Sequence, residues 1–345
     1  MANTLLSQIQ ALGVILDIDS MDPRAAESLS VSTTFHSMTS NQAIVNGQLR
    51  LQWDANLEPI VSQYVQDAAI DISTETGILK VLNLVTVLLA SKIIPYLDKT
   101  GRVLAQTSPR TAYSKDATVA HARALISVFG KHGISKDRVC IKIPTTPQSI
   151  LACKELQESG ICTLGTCLFS VPQAIAASQA GCLSISPYFN ELRVHFPEGA
   201  SSYIDHKDPV RQHPMSPIIY SIIQAFKEKQ TSTTVVPASI LTLDEAVALA
   251  RLRPHHLTIS DRVLTLLAAA PAKPDEDLAA VTMEVAGEKS VLDADYIANN
   301  AAALEVAISR DTETSRKIKE ALEIFGRQEE ESIQFLRKVL STPKA

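Results

Sequence analysis

The chain has 345 residues, 46% of them hydrophobic, with 32 Lys plus Arg against 37 Asp plus Glu and a net charge of −5. That size and apolar share suffice for one large core or two small ones. The mild acidity, without a basic block or aromatic-basic interleave, argues against a nucleic-acid partner, and the longest apolar run, at 81–94, is interrupted by Asn83, Thr86 and Ser91 and argues against a membrane span. The first seven residues lack the basic start and apolar core of a signal peptide. The five cysteines fall between Cys140 and Cys182 with no C-x-x-C pair. They read as small buried thiols in the cytoplasm, not as a disulfide frame or a metal site.

In chain order, residues 2–12 read as a helical lead-in. Val14, Leu16 and Ile18 then alternate with Ile15, Asp17 and Asp19, so the strand has one apolar face and one that carries both carboxylates. Asp22 and Pro23 start a helix through Leu29. A second polar-faced segment runs over 37–41, and 55–98 is mostly helical by apolar spacing. A third strand is predicted at 101–106, followed by a helix over 113–133. The fourth strand, 139–144, puts Val139, Ile141 and Ile143 on one face and Cys140 and Lys142 on the other. Pro144 has no N–H for a ladder, and Thr146 with Pro147 opens the next helix, which stops at Gly160. Strands at 161–166, 182–186, 233–238 and 256–260 follow, with helices at 173–179, 217–229 and 243–252. The tail, 293–340, is helical and charged toward its end.

Strands and helices thus alternate eight times, the pattern of a (β/α)8 barrel over about 13–270 in a single domain, 1–345, with extra N-terminal and C-terminal helices. A doubly wound sheet is the alternative; it is disfavoured because no Gly-rich phosphate loop follows the first strand. In a barrel the helix-facing side of each strand must be apolar. That parity turns Asp17, Asp19, Thr39, Asn41, Gln106, Lys142, Thr166, Ser184, Ser186 and Tyr188 toward the axis. Asp19, Asn41, Gln106, Lys142, Thr166 and Tyr188 stand at the C-terminal strand ends, where this fold keeps its active sites. An amine held among apolar groups has a lowered pKa and can attack a carbonyl to form a Schiff base. Two bland alternatives stand beside this: a strand lysine that reaches bulk water, and a polar barrel layer that is purely structural because each group is paired.

These residues resemble the transaldolase family and, within it, the fructose-6-phosphate aldolases, over nearly the whole chain. Asp19-Ser-Met-Asp22 looks like the family's first-strand D-T-G-D, and Thr39-Ser-Asn-Gln-Ala-Ile44 like its T-S-N-P-A-I. Ile141-Lys142-Ile-Pro resembles the strand with the Schiff-base lysine, and Thr163-Leu-Gly-Thr166 and Ser186-Pro-Tyr188 match the next two strand ends. The resemblance implies class I chemistry on a (β/α)8 barrel with no metal and no cofactor. It implies that Lys142 attacks a donor ketone, Asp19 moves protons at the donor hydroxyl, Thr166 helps position a water, and Thr39, Asn41 and Ser186 face the donor. Gln106 and Tyr188 follow the aldolase subgroup, where transaldolases usually have Glu and Phe. Two further departures concern substrate: where the family places cations for a sugar phosphate, this chain has Glu191 and Leu241. A phosphate there would be repelled and left unpaired. The expectation is therefore an aldolase or transaldolase-like enzyme for an unphosphorylated hydroxyketone donor and an aldehyde. An ordinary transaldolase and a non-catalytic metabolite-binding relative are the alternatives. Small-molecule substrates and a homodimer are what the family implies for partners.

Overall fold

The computed structural model describes residues 4–53, 57–285 and 289–341. Short Val- and Ile-rich runs form seven parallel strands: β1 (Ile15–Ile18), β2 (Val103–Gln106), β3 (Val139–Pro144), β4 (Thr163–Leu168), β5 (Ser184–Pro187), β6 (Thr234–Val235) and β7 (His256–Ile259). β2 to β6 are neighbours in that order, and β1 pairs with β7. Two seams close the ring. Segment 35–39 lies between β1 and β2, where Ile18 N–H donates to Ser37 O at 2.9 Å and Leu104 N–H to Met38 O at 2.8 Å. Across β6 and β7, Thr258 N–H donates to Pro237 O at 3.0 Å. The result is the (β/α)8 barrel that the alternation predicts.

Three staves differ from their sequence pattern, each for a local reason. The segment expected at 37–41 pairs only through Met38, bridged to Ile18 and Val103, because Asn41 already caps the next helix. The strand expected at 233–238 shortens to β6 because Pro237 has no N–H to give, although its carbonyl still accepts. β4 runs on to Leu168, and its register against β5 shifts between Gly165 and Leu168. Cys167 there has φ +50°, so the extra residue bends the strand as a bulge.

The helices are α1 (Leu5–Ala11), α2 (Pro23–Ser30), α3 (Gln42–Gln52), α4 (Glu58–Asp67), α5 (Glu75–Ser91), α6 (Lys115–Lys131), α7 (Pro147–Glu158) and α8 (Val171–Gln179). They continue with α9 (Pro209–Gln212), α10 (Met215–Glu228), α11 (Leu243–Arg251), α12 (Asp261–Ala269), α13 (Lys289–Asp293), α14 (Ala298–Arg310) and α15 (Thr312–Ser341). The outward strand side chains Ile18, Val103, Ile141, Ile143 and Ile185 are wholly buried in the main apolar core. Inward-facing Leu104, Cys140 and Leu164 make a small separate cluster. The stretch Glu75–Tyr96 is long and apolar enough to cross a bilayer, more so than the interrupted run suggests, but 67% of its most apolar 18-residue window is buried inside the fold. It packs against α3, α6 and α15 and acts as a core helix. α15 buries Ile318, Ile324, Phe325 and Ile333, with Arg and Glu residues on its open side.

Gly101 sits where a Cβ would come within 1.6 Å of the His36 carbonyl oxygen, beside the seam of segment 35–39. Gly101→Ala is expected to destabilise the fold by about 1–3 kcal/mol through overpacking. Gly47, inside α3 with open space around it, is expected to stabilise by up to about 1 kcal/mol on change to Ala. Thermal midpoints of the two variants should therefore move in opposite directions; a common direction would contradict the seam geometry.

Candidate active site

The alternation of β3 sends Lys142 inward, and Pro144 ends the strand just beyond it. Lys142 is 3% exposed. Its Nζ donates to Thr39 Oγ1 at 3.3 Å and lies 5.9 Å from the Tyr188 ring centre. Burial lowers the amine's pKa, while the charge of Asp19 opposes that shift. Asp19 follows β1, its N–H donating to Ile259 O at 2.9 Å. Burial raises its carboxyl pKa, Lys142 pulls it back, and Asp261 adds to the rise. Asp19 Oδ1 is buried with no hydrogen-bond partner among the described residues. An amine drawn toward neutrality and a carboxyl drawn toward protonation, facing one another, suit imine formation and proton exchange.

Both residues line a cavity of about 290 Å³ at the C-terminal mouth of the barrel, together with Asn41 and Tyr188. Asn41 is fixed by its role as the cap of α3, with Oδ1 accepting from Ala43 N–H at 2.9 Å and Ile44 N–H at 3.0 Å. Tyr188 is 3% exposed, and its phenol pKa is driven well up by burial. The phenol oxygen accepts from Thr166 Oγ1 at 3.1 Å, and its ring meets Phe169 edge-on. Thr166 is buried behind Tyr188, and Ser186 is buried in β5; neither lines the cavity.

The structure sets other sequence candidates apart from the mouth. Gln106 donates from Nε2 to Gln42 Oε1 at 2.6 Å and borders a separate small cavity with Glu329 of α15. Asp17 lies one pleat deeper, accepting from Ser37 N–H at 2.8 Å and 3.0 Å from His256 Nδ1, in a cavity at the other end of the barrel that Ser184 also lines. Glu191 is turned to α15: its oxygens lie 2.6 Å from Arg316 Nη2 and 2.9 Å from Arg193 Nε. Leu241 uses its backbone, with its N–H donating to Glu245 and its carbonyl accepting from Arg262. Neither Glu191 nor Leu241 lines the mouth cavity.

Several wall residues escape the inward list drawn from sequence. Thr258 and Ser260 line the cavity; alternation in β7 would have found them. Ser239 has φ +65°, an outlier held by Asn190, whose carbonyl accepts from Ser239 Oγ at 2.9 Å. His195 Nε2 lies 2.7 Å from the same hydroxyl. The β4 bulge brings Cys167 beside Lys142 and Tyr188, where burial pushes its thiol up to about 12. Nothing in the sequence marks that bulge.

A family model described as Transaldolase/Fructose-6-phosphate aldolase matches residues 16–336 of the chain. A protein named Transaldolase from Gloeobacter violaceus is 30% identical over 290 residues, which cover 81% of this chain and 70% of that one. A Transaldolase from Acidobacterium capsulatum is 27% identical over 352 residues, covering 99% and 96%. One from Marinomonas sp. is 29% identical over 256 residues, covering 74% and 75%.

The coupling of Asp19 and Lys142 has a definite sign. An ionised Asp19 raises the Lys142 pKa, so Asn at position 19 should let that pKa fall further. The pH profile of Lys142 labelling by an amine reagent, followed by peptide mass, should move to lower pH in Asp19→Asn. A shift to higher pH would contradict the coupling.

Proposed function

The chain belongs to the transaldolase/fructose-6-phosphate aldolase family, and from that premise we propose a class I enzyme that joins or splits a small hydroxyketone and an aldehyde, both unphosphorylated. Lys142 Nζ adds to the donor carbonyl carbon and, with loss of water, forms a protonated imine. In cleavage Asp19 takes the proton from the hydroxyl next to the breaking bond. The carbon–carbon electron pair moves into the iminium, the aldehyde leaves, and an enamine remains. Asp19 returns its proton to the enamine carbon, and water releases the ketone and the free amine. Tyr188, steadied by Thr166, orients that water. Asn41, Ser239 and Ser260 hold donor hydroxyls, and Thr39 steers the free amine. Gln106 acts from behind the wall by keeping Gln42 and the start of α3 in place.

One observation carries the unphosphorylated substrate: among the described residues lining the mouth cavity, Lys142 is the only Lys or Arg. A phosphate has its usual partners in Arg and Lys, and the nearby Arg193, Arg316 and Lys317 lie within 4.0 Å of Glu191. The relatives' name favours a second reading, transfer of the donor to a second aldehyde without release. The Tyr188–Thr166 pair favours release, since a phenol can pass a proton through water and a phenyl ring cannot. The five cysteines are free thiols, which fits the cytoplasmic setting we assign.

Fructose should be cleaved with a higher specificity constant than fructose 6-phosphate. Asp19→Asn should lower kcat by about 10²–10⁴-fold, the usual range for a general acid–base group. Tyr188→Phe should slow release of free ketone more than transfer to an added aldehyde. A clear preference for fructose 6-phosphate would refute the substrate reading, and full activity in Asp19→Asn would remove Asp19 from the mechanism.

A further inference from the structure

The mouth cavity is chemically divided. Its polar groups come from strand ends, with Asp19, Asn41, Tyr188, Thr258 and Ser260 around Lys142, and from Ser239 after β6. The Ser239 hydroxyl lies 2.7 Å from Nε2 of His195, the one polar lining residue, among the described residues, of the loop after β5. The rest of its lining is largely apolar and comes from the loops beyond: Ile44 in the first turn of α3, Leu192 and Phe196 after β5, and Ile240 after β6. A three-carbon donor joined to Lys142 needs the polar groups for its own hydroxyls. A polyhydroxy aldehyde would then press its remaining hydroxyls against Ile44, Leu192, Phe196 and Ile240, where they would go unpaired. An alkyl or aryl chain would instead lose only water contact. At about 290 Å³ the cavity is at the small end for ligand sites, so donor and acceptor must share it closely.

We infer that this apolar wall is an acceptor site for aldehydes with a short alkyl or aryl substituent. The inference rests on the Schiff-base reading above. The enamine carbon of the Lys142-bound donor forms the new bond to the aldehyde carbon. The carbonyl electron pair becomes an alkoxide that takes the proton held by Asp19, and water then frees the product from Lys142.

The experiment has two arms on the full-length parent protein. In the first, dihydroxyacetone alone in deuterium oxide reports enamine formation by deuterium entering its carbon. In the second, dihydroxyacetone is offered with pentanal, phenylacetaldehyde, glyceraldehyde or glyceraldehyde 3-phosphate. Specificity constants for the first two aldehydes should exceed those for the last two by at least about tenfold, the scale on which an apolar pocket discriminates. Phe196→Ser and Ile240→Asn should each shrink that ratio severalfold. Deuterium entry with equal or reversed aldehyde preference would overturn the acceptor site and leave the Schiff-base reading intact. Absence of deuterium entry would overturn both.

Discussion

A primary amine is held at the axis of a closed parallel barrel, and the site depends on how that amine is tolerated. An isolated buried ammonium is strongly disfavoured, so the group neutralises unless a counter-charge faces it. Lys142 has a partial counter-charge in Asp19: burial moves both titrations toward the middle of the pH scale, and the charge of each partner pulls the other back. The remaining contacts of the amine are weak: a long hydrogen bond to Thr39 and the face of Tyr188. A fully paired lysine would be a poor nucleophile, and a wholly unpaired one would strain the fold.

The barrel keeps this balance through local devices at its C-terminal end. Asn41 caps α3 and faces the cavity with the same side chain, so helix start and site geometry are one constraint. The β4 bulge lengthens that strand and brings Thr166 to the phenol of Tyr188 and Cys167 near the amine. α15 folds back across the barrel from the far end of the chain. It neutralises Glu191 with Arg316 and borders the small cavity behind Gln106 with Glu329. The carboxylate at position 191 is therefore turned to α15 and does not line the mouth cavity.

Much of this was legible in the sequence because strand side chains alternate strictly. Lys142, Asp19, Asn41 and Tyr188 follow from parity, with Pro144 marking the end of the lysine's strand, and they share one cavity. Glu191 shows where such reading ends: its partner Arg316 is 125 residues away, a separation that no local pattern encodes. Gln106 obeys parity, yet its amide is drawn to Gln42, a side-chain choice made by packing. The bulge at Cys167 and the positive φ of Ser239 are backbone outliers that only the closed barrel enforces. The second stave was legible as a polar-faced segment, although its single-bridge pairing depends on neighbours on both sides.

The imine proposed on Lys142 is the point on which the rest turns, and reduction in place tests it directly. The protein would be mixed with dihydroxyacetone, reduced with borohydride, digested and mapped by mass. The expected result is one reduced adduct per chain, on the peptide that contains Lys142, and none in Lys142→Met. An adduct on another lysine, or one that persists in Lys142→Met, would contradict the assignment.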